Sequence, residues 1–409
     1  MKQLNILLAN FEFPPYPLAG TGTYALVLVK ALTQLGHHVT ILTPNHSGQD
    51  GMENVEGATV KRVDVSGIQL INKFMGQAKT NRSFLDKKTL FALALKNYIK
   101  KNLNLNDYDL FHSLNERDAA FLDFKYMNKH LPTILSVNDY YIIGSSLNPM
   151  KFEFKSTDLP LRYAHHNFMK RFYMKALKNC TAIIPNSYFV GNLIKEVAHI
   201  PPEKIHVVQR GINTHKFDLT PAKNKYTSKK VLFVGPNAER KGAIFVLQAA
   251  PAILKVHPET TFTFIGSCPW RYKQKINNFI KEHYLQSKVT YLEHVPQDQL
   301  LPYYEEANVF VMPSIMEAMG QVYMEAMTSR TPVIGANVGG VGEIITPEVG
   351  YLVPSRNPEA IAEKIITLFS DPKLAKEMGD NGHERATDHF TIERQMKETL
   401  AVYNAVTKK

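Results

Sequence analysis

Val309-Phe310-Val311-Met312-Pro313-Ser314-Ile315-Met316-Glu317-Ala318-Met319-Gly320-Gln321-Val322-Tyr323-Met324-Glu325-Ala326-Met327 opens on four apolar residues, breaks at a proline and resumes as a helical stretch. The opening residues read as a strand buried on both faces. Pro313-Ser314 ends it, and a helix is expected to begin just after Gly320. Glu325 then lies about one turn inside that helix, and Glu317 stays in the loop before it. The strand–loop–helix unit repeats on either side. Further strands are expected at 231–234, 261–265, 289–292 and 332–334, with helices between them such as 244–256 and 299–306. Alternation of this kind requires right-handed crossovers and a parallel sheet.

The same pattern runs through the first half. Strands are expected at 5–9, 38–43, 59–63, 110–114, 133–137, 182–185 and 206–208, with a clear helix over 24–35 stopped by Gly36. The chain of 409 residues is too long for one comfortable core and suits two. It reads as an α/β protein of two Rossmann-like domains, 1–213 and 214–390, joined near the polar stretch 214–229. An amphipathic final helix follows over 391–406, and its domain allegiance is open from the residues alone.

Composition narrows the class. Hydrophobic residues make up 44% and charged residues 21%, which is globular and not disordered. The two cysteines, Cys180 and Cys268, give neither a disulfide framework nor a zinc spacing. The N-terminal apolar run is too short for a signal peptide, and no run reaches a membrane span, so the protein is expected to be cytoplasmic or to lie against a membrane without crossing it. Residues 1–213 hold 25 Lys/Arg against 16 Asp/Glu, while 214–409 hold 23 against 21. Most of the net charge of +11 therefore lies in the first half, which points to an anionic partner there. Segments 72–101 and 149–178 carry much of it, with aromatic residues interleaved in the second. Such segments suit an anionic membrane surface, or are core helices with solvated basic faces. No nucleic-acid motif accompanies the charge.

Ligands of open parallel sheets sit beyond the carboxyl ends of the strands. In the second half those ends lead to Gly235 and Arg240-Lys241-Gly242, to Gly266-Ser267, to Glu317 and Gly320, and to Gly335 and Gly339-Gly340. A cationic pair before a helix can bind phosphate together with the helix's backbone N–H groups. A carboxylate can accept the hydroxyls of a ribose or face positive charge on a sugar. Each feature alone also fits a solvated surface group; their order along successive strand ends carries the argument. Gly20-Thr21-Gly22 superficially fits a dinucleotide fingerprint, but it lies too far from its strand and lacks the acid expected about 20 residues on.

The ordered string resembles the retaining GT-B glycosyltransferases of family 4 over nearly the whole chain. The quoted block matches the family's paired glutamates in spacing. The likeness continues through Thr331–Ile334, Gly339-Gly340, Glu343 and 350–353, and upstream through Phe233-Val234-Gly235, Lys241-Gly242, Gly211-Ile212-Asn213, Pro14-Pro15, Gly20, Gly22 and Gly36-His37. The resemblance implies a GT-B fold, two Rossmann-like domains facing each other across a cleft. It implies transfer from a nucleotide-diphosphate sugar with retention, with no cofactor and no metal, to a carbohydrate or lipid-linked acceptor. Uridine is favoured over guanosine, and assembly of a cell-envelope glycolipid or polysaccharide fits best. It places Lys241 on the diphosphate, Glu325 on the ribose, Glu317 beside the sugar and the backbone near Val295 at the base. Gly20, Gly22, Gly235, Gly320, Gln321 and Val322 join the donor site. The final helix is expected to cross back to the first domain. Where the family often has arginine, histidine and asparagine, this chain has Pro236, Asn138 and Arg210. Arg240 is expected to supply the missing charge, Asn138 to take the catalytic-site position, and Arg210 to face the phosphates or the acceptor. Sugar-nucleotide epimerases and phosphorylases of the same architecture, and a non-catalytic sugar-nucleotide binder, are the alternatives.

Overall fold

The computed structural model describes residues 2–15, 20–45, 52–66, 87–140, 159–235, 238–293, 295–296 and 299–408. The chain divides into two compact units, Met1–Val208 with Met396–Lys409, and Gln209–Gln395. Each is built on one sheet.

In the first unit the strands are β1 (Asn5–Ala9), β2 (His38–Pro44), β3 (Met52–Val55), β4 (Ala58–Val63), β5 (Leu110–Ser113), β6 (Thr133–Val137) and β7 (Ala182–Pro185), in the order β3-β4-β2-β1-β5-β6-β7. All pairs are parallel except β3 with β4. That edge hairpin was not foreseen. Its two-residue turn places both Glu56 and Gly57 at positive φ, as hairpin turns of this length require. The expected strand at 206–208 is not one. His206 and Val208 donate to Ile183 and Pro185, but only Ile205 forms an isolated bridge, with Ile183. Helix α1 (Gly20–Gln34) begins four residues before the expected 24, because Thr21 Oγ1 and the Gly22 N–H find an acceptor in Glu12.

The second unit contains β8 (Lys230–Val234), β9 (Thr261–Ile265), β10 (Val289–Leu292), β11 (Val309–Met312), β12 (Val333–Ala336) and β13 (Gly350–Val353), in the order β10-β9-β8-β11-β12-β13. All are parallel. The order reverses between β1 and β5 in one sheet and between β8 and β11 in the other, which makes each a switch point where ligands gather. The central strands are buried on both faces, which explains their largely apolar composition.

The division between units falls upstream of 213. Gln209–Asn213 is tied to the second unit: Gly211 N–H donates to Gln395 Oε1 at 2.9 Å, and Ile212 N–H to the Phe390 carbonyl at 2.9 Å. A Cβ on Gly211 would lie 2.1 Å from the Thr391 carbonyl oxygen, so only glycine fits. The last helix, Ile392–Thr407, belongs to the second unit up to Gln395 and to the first from Met396 onward. Its buried Tyr403 hydroxyl meets His112 Nδ1 of β5 at 2.7 Å, and His112 Nε2 meets Ser136 Oγ of β6 at 2.8 Å.

Residues 72–86 and 149–158 of the two basic segments lie outside the described residues. In helix Leu159–Asn179, Met169, Tyr173, Ala176 and Leu177 are buried while Arg171, Lys175 and Lys178 are exposed. Phe168 is 46% exposed, against Phe172 and Phe121. No helix among the described residues is long and apolar enough to cross a membrane.

Candidate functional site

In the second unit the loops after β8 and β11 lock together. Lys241 ends a single helical turn, Ala238–Lys241, and Gly242 follows at φ 80°, a left-handed conformation that glycine takes without strain. A Cβ there would lie 2.2 Å from the Pro313 carbonyl oxygen. Ile315 N–H donates to the Arg240 carbonyl at 2.8 Å. Lys241 is thereby held against the loop after β11.

Lys241 Nζ donates to Glu317 Oε2 as an ion pair, and Ser314 Oγ donates to the same oxygen at 3.4 Å. Lys241 is 8% exposed, Glu317 7% and Glu325 9%, which rules out solvated surface groups at all three positions. Burial pushes the Glu317 carboxyl up, but the charges of Lys241 and Arg240 outweigh it and hold the group below its ordinary value. It is a buried carboxylate kept ionised by cations.

Gly320, at φ 92°, caps the helix Gln321–Thr328, and a Cβ on it would lie 2.7 Å from the Tyr323 ring. The expected helix start is therefore the observed one. Glu325 is buried on that helix, where Tyr304 OH donates to its Oε2 at 2.8 Å. Burial pushes its carboxyl up, opposed by the Tyr304 hydrogen bond and the Lys216 charge. Gly235, at the end of β8, is buried beside the Lys241 side chain and Met312. Val295 is partly buried against the second core. Arg210 is buried, and its N–H donates to Met319 Sδ at 3.3 Å. The second unit thus brings together Gly235, Arg240, Lys241, Glu317 and Gly320, with Gln321, Val322 and Glu325 following on the next helix.

Two family profiles together cover most of the chain. The Glycosyltransferase Family 4 profile matches residues 18–216, and the Glycosyl transferases group 1 profile matches 216–385. The chain belongs to the group 1, family 4 glycosyltransferases. It is 25% identical to an uncharacterized glycosyltransferase, MJ1607, of Methanocaldococcus jannaschii, over 98% of both chains. The sucrose-phosphate synthase of Thermosynechococcus elongatus superposes with a TM-score of 0.77 at 22% identity, over 99% of this chain and 100% of that one. HepE of Anabaena, solved with UDP and glucose, superposes with a TM-score of 0.73 at 14% identity, over 98% and 100%. The fold of this glycosyltransferase is GT-B.

The remaining expected residues lie in the first unit of the glycosyltransferase. Gly20 is exposed at the start of α1, and Gly22 is buried, its N–H donating to Glu12 Oε2 at 3.2 Å. Asn138, just after β6, donates through its N–H to Glu116 Oε2 at 3.0 Å and through Nδ2 to the Leu114 carbonyl at 2.7 Å. These expected residues belong to a different unit from Lys241.

Several strand-end residues escaped the sequence reading. Glu12 pairs with Lys88 at 2.9 Å. Glu116 and Asp118 are buried after β5, and burial pushes each carboxyl up to about 7. Asp118 Oδ2 accepts from the Phe11 N–H at 2.8 Å, whereas its buried Oδ1 has no partner among the described residues. The signal available was their position: Asn115-Glu116-Arg117-Asp118 begins within two residues of the end of a buried strand, Leu110–Ser113. In the second unit Tyr304 and Lys225 escaped, since a tyrosine in a short helix and a lysine in a polar linker carry no signature.

Proposed function

We propose that this glycosyltransferase moves a hexosyl group from a nucleotide-diphosphate sugar, UDP-linked rather than GDP-linked, to an acceptor hydroxyl with retention of configuration. The observation that carries the reading is the buried Lys241–Glu317 pair at the switch point of the second sheet, with Glu325 on the following helix. Lys241, joined by Arg240, takes the diphosphate. Lys241 would exchange a carboxylate oxygen for phosphate oxygens, so that donor binding leaves no buried cation unpaired. The N-terminal amides of the helix that starts at Gln321 and Val322 add a fixed partial positive charge. Glu325 accepts ribose hydroxyls, and Val295 lies at the base. Gly20, Gly22 and Arg210 are assigned to the phosphate side of the donor, and Gly235 and Gly320 let backbone approach it.

In this reaction the bond from the anomeric carbon to the diphosphate oxygen breaks and the bond to the acceptor oxygen forms on the same face. The acceptor proton passes to the departing phosphate. Stabilising that leaving group is then the main task, and fixed charges perform it without reorganisation. The ionised Glu317 faces the positive charge that develops on the sugar, and Asn138 offers amide hydrogen bonds to sugar hydroxyls. Because Lys241 and Arg240 meet the diphosphate charge, the reading needs neither metal nor cofactor.

HepE was solved with UDP and glucose, which supports the uridine reading. The first unit holds the acceptor. The exposed Phe168 beside exposed basic residues supports a lipid-linked acceptor at an anionic membrane surface on the cytoplasmic side. The test is thermal unfolding against a panel of nucleotide sugars, followed by NMR of the product. A UDP-sugar well above its dissociation constant is expected to stabilise the fold by about 3 kcal/mol, and the product to keep the donor's anomeric configuration. Stabilisation by no nucleotide sugar, or an inverted product, would overturn the reading.

A further inference from the structure

Glu325 is not held by its own helix alone. Tyr304, fully buried in the helix Leu301–Glu306, donates its hydroxyl to Glu325 Oε2 at 2.8 Å. Tyr304 is fixed from three sides. Its ring meets Phe217 edge-on at 5.8 Å and lies against Phe310 at 6.1 Å. Its carbonyl accepts from Thr331 Oγ1 at 3.2 Å and from Lys225 Nζ at 2.7 Å. Lys225 is 1% exposed, and its other bonds go to the Glu305 carbonyl at 3.1 Å and Thr331 Oγ1 at 2.9 Å. A lysine buried this deeply and spent on carbonyl and hydroxyl oxygens is costly unless those contacts matter. They place Tyr304.

We infer that Tyr304 is a positioning residue for the donor site: its hydroxyl occupies one oxygen of Glu325, so that the carboxylate presents the other to the donor in a set orientation, and Lys225 fixes the main chain that carries it. The inference rests on the reading that Glu325 accepts donor hydroxyls. A carboxylate bonded at one oxygen loses less freedom when a ligand binds the second. The same hydrogen bond opposes the effect of burial on the Glu325 carboxyl and favours the charged, acceptor form.

The test compares Tyr304→Phe, Glu325→Ala and the double variant of the full chain, with steady-state kinetics on UDP-glucose or on whichever nucleotide sugar the panel selects. Tyr304→Phe keeps the ring packing, and far-UV circular dichroism with thermal unfolding checks the fold. The expected result is a rise of about tenfold in donor KM with little change in kcat, the worth of one hydrogen bond to a charged group. The acid limb of kcat/KM for the donor should move to higher pH, which loss of packing would not produce. The double variant should be no worse than Glu325→Ala. If Glu325→Ala weakens donor binding while Tyr304→Phe leaves KM and the acid limb unchanged, the inference is wrong and the reading of Glu325 stands. If Glu325→Ala itself binds donor normally, the reading fails and the inference with it.

Discussion

At the carboxyl end of β11, Glu317 is buried against the Lys241 ammonium; just beyond the carboxyl end of β5, Glu116 and Asp118 are buried with no ion-pair partner among the described residues. The two switch points share a topology, yet Glu317 at one is treated oppositely to Glu116 and Asp118 at the other. In the second unit cations hold Glu317 ionised. In the first, burial pushes Glu116 and Asp118 up to about 7, near the point where they take up a proton. The lesson concerns charge. The first half of the sequence is the basic half, yet its strand ends are lined by Glu12, Glu116 and Asp118. Net charge summed along a sequence does not tell which charges reach a site.

The largest expected effect breaks the pair in the second unit. Lys241→Ala should lower kcat/KM by about 10²–10³ with the fold intact, measured by transfer from the nucleotide sugar. An equal loss from Lys88→Ala, which breaks the Glu12 pair of the first unit, would erase the contrast between the two switch points.

Next comes Gly242→Ala. The new Cβ would meet the Pro313 carbonyl at 2.2 Å in a residue already at φ 80°. A loss of about 2 kcal/mol or more in urea unfolding is expected. An undisturbed midpoint would show that the two loops are not locked as described.

Proton linkage separates Glu116 and Asp118 from Lys225 by sign. Glu116 and Asp118 have folded-state values above the ordinary 4.5 and 3.8, so the folded chain binds more protons than the unfolded one up to about pH 7. Their contribution to stability is full below about pH 4 and is lost as pH rises to 7. Lys225 is the opposite case, lowered by burial from 10.5 to about 7. Stability gained from it rises with pH from about 7 to 10. Wild type should therefore resist urea better at pH 5.5 than at pH 7.5, and Glu116→Gln with Asp118→Asn should flatten that slope. A variant slope equal to that of wild type would refute the assignment.

The smallest effect concerns Glu12, which accepts from the first turn of α1 and pairs with the part-exposed Lys88. Glu12→Ala should cost about 1 kcal/mol, as loss of a helix cap does. Thermal unfolding measures it, and a loss well above that would mean that Glu12 is tied more tightly than a cap.

Much of the fold was legible because buried parallel strands are short, largely apolar runs and the loops between them are punctuated by glycine and proline. The strand at Val309–Met312 and the helix after Gly320 lie where the residues place them. What escaped was of two kinds. The hairpin strand Met52–Val55 sits at a sheet edge and has no apolar run, and 206–208 has one without a strand. In the site, Glu317 and Lys241 stood out through their order along strand ends, but their mutual ion pair is a three-dimensional fact. Tyr304 and Lys225 act through a tertiary hydrogen-bond chain to Glu325, and nothing at their own positions announces it.

The central claim is that Lys241, Glu317 and Glu325 form one donor site in the second unit. Calorimetric titration of UDP-glucose, or of the nucleotide sugar that the thermal panel selects, into wild type, Lys241→Ala and Glu325→Ala tests it most directly. The account predicts saturable binding to wild type, weakened at least tenfold in each variant whose unfolding temperature is unchanged. Undiminished binding by both folded variants would contradict it.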